Sequence, residues 1–418
     1  MISARRLRPL QFFPFYRVKA VRATLPPMPP KKPKQQAAKA EEPVVSDDLA
    51  STDKTEGTKT KEPAKAKRSR STGAAEAEPK AGTEGEAETA APVRRTSTGG
   101  GPAVTEESIL EGTTEFKRAT KDADFDPHSM LKMISWNVAG LRAMVKKDDA
   151  AELRSLVAMH KPDVVCLQET KLSADDGAQV HASLAVLPGY KFVDSISSAK
   201  KGYSGTRTYV RDGIAVSHSF GFDISKPTHH DAEGRVLTSM LKPLGSTSKP
   251  TIAIVNSYVP NAGMTLERLD YRVQDYDPIV RAYLKTLSDT VSAAAPESAG
   301  GVIWTGDLNV AERDYDRYFT GTYKQMQKCP GFTPEERQSF RTTLQEAKMV
   351  DGFRHLYPTA AKAYTFWSFR FNQRAKNNGW RLDYFVMSAA LASRIVECCA
   401  LPEYTSSDHC PLMLWLRK

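Results

Sequence analysis

The chain has 418 residues, with 59 Lys and Arg against 49 Asp and Glu, for a formal net charge of +10. Residues 131–418 hold only six of these excess positive charges, a balance that suits a polyanionic partner without demonstrating one. The five cysteines form no CxxC pair and indicate a reducing compartment rather than a zinc ribbon. The sequence contains no run of 18 apolar residues, so we expect no membrane-spanning helix.

Residues 1–40 form a basic, targeting-like segment. They hold ten Lys or Arg and no acidic residue, interleaved with Phe and Tyr, a composition typical of a mitochondrial transit peptide. The runs PPKKPK at 29–34 and KAKRSR at 65–70 are typical of nuclear localisation signals or of arms that contact phosphates. Solvated charge runs are the alternative for both. We expect a nuclear protein, with the mitochondrion as a second address.

Residues 41–128 are rich in Ala, Glu, Lys, Thr, Gly and Ser and poor in aromatic residues. Such a segment does not bury enough apolar surface to offset the entropy lost on ordering, so we predict a disordered low-complexity tail. In residues 129–418, short β-branched runs such as DVVCLQET and TIAIVNSYV alternate with helical stretches such as DAAELRSLVAMHK. This alternation predicts one large α/β domain.

Polar residues flank the predicted strands at the points where apolar runs meet turns. Strand ends and their loops are where a rigid sheet holds reactive groups without burying unpaired charges. If the strands converge at one edge, these residues share one cleft. They are Asn137, Glu169, Tyr258, Asn261, Asp307, Asn309, Asp383, Asp408 and His409.

The types of these side chains indicate a chemistry. Carboxylate and amide oxygens without sulfur ligands suit a hard cation, Mg²⁺ or Mn²⁺. A histidine beside an acid suits an oriented imidazole that hydrogen-bonds a phosphoryl oxygen, and the Asp307–Asn309 pair suits the positioning of a water. Together they favour metal-assisted phosphodiester hydrolysis. A single Asp, Asn or His of this kind is more often a turn former, a helix cap or a structural residue.

Nine short motifs occur in order over residues 131–418. They are ISWNVAGLRA, LQETK, GYSG, YVPNAG, GDLNVA, GFTPEERQSF, YTFWSF, GWRLDYF and SDHCP. Together they closely resemble the exonuclease III family of apurinic/apyrimidinic (AP) endonucleases. The resemblance implies an α/β four-layer sandwich, with two packed mixed β-sheets flanked by helices, known as the DNase I-like or endonuclease–exonuclease–phosphatase fold.

The same resemblance implies an enzyme of base-excision repair. Its activity would be Mg²⁺-dependent cleavage of duplex DNA 5′ to an abasic site, leaving a 3′-hydroxyl. It would also have 3′-phosphodiesterase and 3′→5′ exonuclease activity on blocked 3′ ends. We expect a monomer without a membrane partner, with Mn²⁺ as the alternative cofactor. The tail is expected to bind other repair proteins.

The motifs also imply a metal site. Glu169 would be the main ligand, with Asn137 and Asp408 nearby. Ala139 stands where many relatives carry Asp or Asn, which would make the site depend more on Glu169. The residues expected to contribute to the metal site are Asn137, Glu169, Asp307, Asn309, Asp408 and His409.

Five residues are implied to act in catalysis. Asp307 would activate or orient the attacking water, helped by Asn309. His409, oriented by Asp383, would contact the scissile phosphate. Tyr258 would lie beside that phosphate and help to stabilise the developing charge.

Recognition of an abasic sugar needs an apolar pocket that admits a flipped-out sugar and rejects a base. The resemblance implies that Phe366, Trp380 and Leu382 build this pocket, and ordinary core residues are the alternative. Met264 and Arg370 follow two motifs whose loops reach into the duplex in relatives. A long apolar side chain and a guanidinium both suit that purpose, so we predict that both insert around the lesion.

Further DNA contacts are implied by the remaining motifs. Tyr203 and Gly205 would touch the DNA backbone, and Asn261 would complete the group around the phosphate. Lys171 is either a phosphate contact or a solvated lysine. Cys329 stands where some relatives have Asn, so substrate contacts at that position are expected to differ.

Two alternatives stay open at this point. The same fold hosts non-specific deoxyribonucleases and other metal-dependent phosphoesterases, and fold alone does not separate them. The motifs GWRLDYF and YVPNAG favour the DNA-repair branch. A catalytically inactive DNA-binding or scaffold protein is the second alternative, and it would bind abasic DNA without cutting it.

Overall fold

The computed structural model describes residues 103–118, 129–184, 187–222, 229–242, 252–294 and 300–418. The basic segment 1–40 and most of the predicted tail therefore lie outside the described residues. Within the described ranges, no helix is both long and apolar enough to cross a membrane.

Strands and helices alternate along the domain. The strands are β1 Thr114–Glu115, β2 Met130–Asn137, β3 Val164–Gln168, β4 Tyr190–Ser195, β5 Thr206–Arg211, β6 Val216–Phe220, β7 Val236–Leu241, β8 Ile252–Tyr258, β9 Gly301–Asp307, β10 Met349–Asp351, β11 Ala360–Ala361, β12 Asp383–Ser388, β13 Ile395–Ala400 and β14 Leu412–Arg417. The α-helices are α1 Glu106–Leu110, α2 Leu141–Asp148, α3 Ala151–His160, α4 Gly177–Ser183, α5 Asp277–Ala294, α6 Tyr323–Met326, α7 Pro334–Glu346 and α8 Gly352–Leu356. A π-helical segment, Tyr271–Tyr276, leads into α5.

Two six-stranded mixed sheets form the centre of the domain. The first has the strand order β13–β14–β2–β3–β5–β4, and the second has the order β10–β12–β9–β8–β7–β6. Each sheet contains one parallel pair, β2 with β3 and β8 with β9, and the other pairs are antiparallel. Each parallel pair therefore brings two carboxyl ends to the same edge of its sheet.

Alternation along the strands sorts their side chains into layers. Met133 of β2 and Ile303 of β9 lie in an apolar cluster between the two sheets. Trp136, on the other face of β2, packs with residues of α2 and α3. Trp304, on the other face of β9, packs with residues of α5 and α7. The resulting order of helix, sheet, sheet and helix confirms the predicted four-layer α/β sandwich.

The structure differs from the predicted disordered tail at residues 103–118. Thr105 caps α1 through a capping box, and β1 pairs in parallel with β11. The ring of Phe116 packs against those of Phe353 and Tyr357, with centroid distances of 5.4 and 5.1 Å. Arg118 also pairs with Glu397, so several contacts to the domain order this short segment although the average composition of the tail is unfavourable.

A buried ion cluster holds the start of β12. The Asp316 carboxylate accepts hydrogen bonds from Arg381 Nε at 2.9 Å and Nη2 at 2.8 Å, and it also pairs with Arg354. Arg381 pairs with Asp351 as well, which caps α8. Burial by itself raises the pKa of Asp316, but the two guanidinium groups outweigh it and hold that pKa well below its usual range. Because Arg381 precedes Asp383 by two residues, the cluster fixes where that strand begins.

We expect Asp316→Asn to lower the free energy of unfolding by about 3 kcal/mol, because two buried guanidinium groups lose their full partner. Since the pKa of Asp316 is depressed, its stabilisation is present above the pKa of the unfolded chain, about 4, and is lost as the pH falls below that value. Urea unfolding should therefore show a smaller difference at pH 3 than at pH 7. Asp289→Asn, in an exposed pair with Lys285, is the control and should cost less than about 1 kcal/mol. Equal effects of the two substitutions would contradict the assignment.

Candidate active site

Polar residues at the strand ends meet at one edge of the two sheets. The parallel pairs β2–β3 and β8–β9 both end there, and the register places Asn137 beside Gln168 and Tyr258 beside Asp307. Strand β12 runs antiparallel to β9 and begins at this edge, with Asp383 opposite Asp307. The fold therefore brings the ends of separate strands into one group.

The side-chain amide of Asn137 joins two carboxylates. Its Nδ2 donates to Glu169 Oε1 and to Asp307 Oδ2, both at 3.0 Å. Its Oδ1 accepts from the Ala139 backbone N–H at 3.0 Å, and the side chain is fully buried. The amide thus offsets part of the repulsion between two neighbouring carboxylates, and Oδ1 keeps one further lone pair that suits a cation.

His409 forms a buried pair with Asp383. Its Nδ1 lies 2.8 Å from Asp383 Oδ2, and its Nε2 lies 3.7 Å from Asp307 Oδ2. Thr365 Oγ1 donates to the same Asp383 oxygen at 2.6 Å and accepts from the Asp383 backbone N–H at 3.2 Å. The imidazole is thereby held in one orientation, with Nε2 directed toward the carboxylate of Asp307.

The loop before β14 is tied to the end of β2. Trp136 Nε1 donates to the His409 backbone oxygen at 3.0 Å, and Ser407 Oγ donates to the Asn137 backbone oxygen at 2.7 Å. The Asp408 carboxylate accepts from Ser407 Oγ at 3.3 Å. Within the described residues it makes no hydrogen bond to the carboxylates and amides above. Asp408 thus lies outside the hydrogen-bonded group that holds the other predicted metal-binding residues.

Asn309 extends the group toward the loop after β8. Its backbone N–H donates to Asp307 Oδ1 at 3.0 Å, and its Nδ2 donates to the Val259 backbone oxygen at 2.8 Å. Its Oδ1 accepts from Asn261 Nδ2 at 3.1 Å. The backbone of Asn309 has φ of 49°, a left-handed conformation that Asn tolerates better than most residues. This turn is what brings Asn261 into contact with the group.

Charges within the group favour an ionised histidine. Burial by itself lowers the pKa of His409, but the carboxylates of Asp383 and Asp307 outweigh it and raise that pKa to about 10. For Asp307, burial is the largest cause that raises its pKa to about 7; Asp383 and Glu169 add to the rise, and His409 opposes it. The two carboxylates therefore favour the protonated imidazole, and the raised pKa of Asp307 makes its carboxylate a better proton acceptor for water than an exposed Asp.

Tyr258 and Glu169 form the more accessible side of the group. The Tyr258 hydroxyl hydrogen-bonds the Glu169 carboxylate, and burial together with the charges of Glu169 and Asp307 holds the pKa of Tyr258 well above its usual range. Burial by itself raises the pKa of Glu169, but the charge of Lys171 and the hydrogen bonds from Asn137 and Tyr258 outweigh it and lower that pKa. Tyr258 is therefore a neutral donor, and Glu169 is an ionised acceptor.

An apolar cluster adjoins His409. Leu382 is buried with Phe332, and Phe366 and Trp380 pack half-buried against the same cluster. The centroid of the Phe366 ring lies 4.8 Å from that of the His409 ring. The three residues predicted to line a sugar pocket therefore lie together, beside the imidazole.

The other predicted DNA contacts lie in loops. Met264 is 88 % exposed, in the loop that follows β8, and Arg370 begins a short, exposed 3-10 turn. The Tyr203 hydroxyl accepts hydrogen bonds from Arg235 Nη2 at 2.8 Å and from Arg268 Nη1 at 3.2 Å. Tyr203 is thus held by two arginines, while Met264 and Arg370 extend toward solvent.

Two buried residues hold the site without having been predicted from the sequence. One is Thr365, which lies inside the YTFWSF motif, directly before Phe366. The other is Arg235, whose guanidinium carbon lies 4.7 Å from the centroid of the Tyr258 ring and which donates to the Tyr258 backbone oxygen at 3.0 Å. The position next to a pocket aromatic residue is a signal for Thr365, whereas nothing in the local sequence marks Arg235.

Fold and site together define the class of the protein. Two carboxylates favour the charged form of His409, a donor of the kind that stabilises a phosphoryl oxygen, and the buried Asp307 carboxylate beside it is suited to accept a proton from water. Both lie within one hydrogen-bonded group at the strand ends of a four-layer sandwich. This arrangement is that of a hydrolase of phosphate esters.

Comparisons with known proteins give the family. The family described as "Endonuclease/Exonuclease/phosphatase family" matches residues 134–409, and the chain belongs to it. Over 288 residues the chain is 40 % identical to the DNA repair nuclease APEX1 of Danio rerio, a match that covers 68 % of this chain and 82 % of the relative. Over 286 residues it is 37 % identical to a DNA-(apurinic or apyrimidinic site) endonuclease of Dictyostelium discoideum, covering 68 % and 70 %.

A solved structure agrees with these relatives. The crystal structure of the AP endonuclease LMAP from Leishmania major is similar with a TM-score of 0.71 and 50 % sequence identity, covering 76 % of this chain and 96 % of that one. The resemblance drawn from the nine motifs is therefore confirmed, and within its family the chain is similar to the AP endonucleases. Nucleases of this kind are metal-dependent in general.

We expect Thr365→Val to lower kcat for DNA cleavage tenfold or more, because Asp383 loses a charge-assisted hydrogen bond worth roughly 1.5–3 kcal/mol. Thr365→Ser keeps the hydroxyl and should retain most of the rate. Steady-state kinetics on a duplex oligonucleotide would test this, with thermal unfolding as a check on folding. A raised KM with unchanged kcat would instead place Thr365 in substrate binding and would contradict the positioning role.

Proposed function

We propose that the chain hydrolyses the phosphodiester bond 5′ to an abasic site in duplex DNA, with Mg²⁺ as cofactor, and leaves a 3′-hydroxyl. The observation that carries this proposal is the packing of the Phe366 ring on the His409 ring. It joins a charged group suited to a phosphate to an apolar cluster that would receive a sugar without its base. The names of the relatives, a DNA repair nuclease and two AP endonucleases, support the same substrate.

The side chains at this edge fit a divalent cation. Glu169 is an ionised carboxylate with an 18 % exposed side chain. The described part of the chain holds no group of three or more His, Cys, Asp or Glu arranged for a metal ion, and one or two carboxylates are enough for Mg²⁺ where substrate phosphates complete its ligands. Mg²⁺ is usually bound in this way, next to substrate phosphates. Glu169 would hold the cation with Asn137, and Asp408 would contribute from the adjacent loop. When bound, Mg²⁺ or Mn²⁺ would supply positive charge to a phosphate oxygen.

Asp307 and His409 would have separate roles: Asp307 would accept the proton of the attacking water, and His409 would stabilise the charge on the phosphate. Asp307, whose carboxylate is oriented by the backbone N–H of Asn309, would take a proton from the attacking water. His409, kept protonated by Asp383, would donate from Nε2 to a non-bridging phosphate oxygen and stabilise the charge that develops there. Tyr258, a neutral donor at the same edge, would stabilise the same phosphate.

Phe366, Trp380 and Leu382 would receive the sugar. Extruding a nucleotide from the duplex costs least when no base has to be unstacked and unpaired, so an apolar pocket of limited size favours an abasic site over an intact nucleotide. Arg317 holds the Trp380 ring in place, since its guanidinium carbon lies 4.2 Å from the centroid of that ring. Tyr203 would contact the DNA backbone outside the pocket.

The same site would also clean blocked 3′ ends and remove nucleotides in the 3′→5′ direction. Both reactions hydrolyse the same kind of bond with the same groups, at a strand end instead of within a strand. An exodeoxyribonuclease of Bacillus subtilis, 35 % identical over 285 residues with 68 % of this chain and 98 % of the relative covered, supports this extension.

The proposal places the enzyme on nuclear DNA, where a DNA repair nuclease acts. The Arg-rich, acid-free segment 1–40 supports the mitochondrion as a second address. The low-complexity tail predicted for residues 41–128 would bind other repair proteins, and we propose a monomer as the active form. The segment 1–40 and, apart from residues 103–118, the tail lie outside the described residues.

Cleavage of a duplex oligonucleotide that carries one abasic-site analogue would test the proposed function. In Mg²⁺ the wild type should make a single cut 5′ to the analogue, and EDTA should abolish it. His409→Ala should lose at least about 100-fold in rate, because a positioned acid or charged donor contributes roughly 10²-fold or more.

An undamaged duplex of the same sequence is the control. Equal cutting of both duplexes would move the protein to the non-specific nucleases of this fold. If the protein bound the abasic duplex without cutting it in Mg²⁺ or Mn²⁺, it would be a catalytically inactive DNA-binding or scaffold protein instead.

The exposed side chains of Met264 and Arg370 allow a second test, of how the protein binds abasic DNA. We expect Met264→Ala and Arg370→Ala each to weaken binding of abasic duplex about tenfold, roughly 1.4 kcal/mol, because each removes a group that would insert beside the lesion. Fluorescence anisotropy in EDTA would measure binding without cleavage. Met159→Ala, at a methionine 69 % exposed at the end of α3, is the matched control. Unchanged affinity in the Met264 and Arg370 variants would remove the insertion hypothesis.

A further inference from the structure

Lys171 forms an ion pair with Glu169, the carboxylate that would bind the proposed cation. Its Nζ lies 2.9 Å from Glu169 Oε2 and donates to the Ala139 backbone oxygen at 3.2 Å. The side chain is 40 % exposed, so the ammonium sits at the open side of the group. An amino group that could have remained in solvent instead neutralises the acid most suited to a divalent ion.

Glu169 is the carboxylate of this group that a solute reaches. Its side chain is 18 % exposed, against 3 % for Asp307 and 2 % for Asp383. Three groups already bond to it: Asn137 at Oε1, the Tyr258 hydroxyl, and Lys171 at Oε2. The first two are neutral, and Asn137 is also buried. Lys171 is the charged and exposed partner, and so it is the one with room to leave.

The backbone directs both ends of this ion pair to the same side. Glu169 has φ of 51° and Lys171 has φ of 52°, a left-handed conformation that is unfavourable for residues with side chains. Hydrogen bonds to the neighbouring loop hold it, from Thr170 N to Gly205 O at 3.1 Å and from Lys171 N to Ser204 O at 2.9 Å. The chain thus maintains two strained residues, one on each side of Thr170, and the side chain of Lys171 folds back onto Glu169.

Ala139 provides no second acid for Lys171, so its ion pair is with Glu169. With a methyl group at this position, the only atom that residue 139 offers to the ammonium is its backbone oxygen. Among the contacts of the described residues, Glu169 is therefore the one acid that balances Lys171. The ammonium and a divalent cation are attracted to the same oxygen, and two positive charges do not share it without strong repulsion.

We propose that Lys171 is a resident counter-ion that keeps Glu169 occupied in the free enzyme and moves to a DNA phosphate when substrate binds. Lys171 then opposes cation binding without DNA and permits it with DNA. By linkage, DNA and the cation strengthen each other's binding by the same factor. The inference rests on the proposed function, because it takes the divalent cation and the DNA backbone as its two ligands.

Binding of Mn²⁺ to the full-length protein tests this without catalysis, by electron paramagnetic resonance of the unbound ion. Without DNA, we expect Lys171→Met to bind Mn²⁺ at least tenfold more tightly than the wild type, and Lys171→Arg to stay close to the wild type because the charge remains. Lys147→Met, at an exposed lysine of α2, removes the same charge elsewhere and should have little effect.

A second series adds an undamaged duplex with phosphorothioate 3′ linkages. The duplex should tighten Mn²⁺ binding at least tenfold for the wild type and less than threefold for Lys171→Met. Circular dichroism of each variant verifies that it is folded.

Three outcomes overturn the inference. If the wild type binds Mn²⁺ and Lys171→Met binds it equally or more weakly, Lys171 is no competitor, and the proposed function stands. If DNA tightens Mn²⁺ binding equally in both proteins, Lys171 does not couple the two ligands. If the wild type binds no Mn²⁺ even with DNA, the cation of the proposed function fails together with the inference.

Discussion

The site depends on holding several carboxylates together at one buried edge. Glu169, Asp307 and Asp383 all lie there, and like charges this close repel one another. Two buried donors offset the repulsion, since the Asn137 amide bridges the first two acids and the His409 imidazolium lies between the last two. Each donor has more than one acid as partner, so the loss of one donor takes a partner from two acids at once.

A buried polar contact between the sheets keeps their relative position. Gln168, at the end of β3, donates to Ser135 Oγ at 3.0 Å and to Asn256 Oδ1 of the second sheet at 2.8 Å. Asn256 in turn donates to the Arg207 backbone oxygen of the first sheet at 3.0 Å. In an apolar layer a polar side chain without such partners is costly, so a slip of one sheet against the other is opposed. The acids of the two sheets therefore meet at fixed distances.

The proposed substrate choice and chemistry would be coupled on both sides of this group. On one side, Thr365 holds the carboxylate of Asp383, and its neighbour Phe366 packs on His409, so that any shift of this stretch moves the Asp383–His409 pair and the adjoining apolar cluster together. On the other side, Lys171 pairs with Glu169, and in our proposal it would link the charge of that acid to the DNA backbone. The contacts that align the polar groups would then also take part in recognising the substrate.

The sequence by itself determined the α/β sandwich, the family and a set of polar residues at the strand ends, because apolar runs, the polar residues that follow them and short motifs are local patterns. Only the tertiary structure decided which of these residues touch. Asn137 is 170 residues from Asp307 and 272 from His409, yet its amide reaches the first and approaches the second. Asp408, directly before His409 in the chain, stays outside the hydrogen-bonded group, and residues 103–118 join the domain despite their composition. The physical reason is that side-chain contacts follow from the register of two packed sheets, and that register is set by burial over the whole domain rather than by any local pattern.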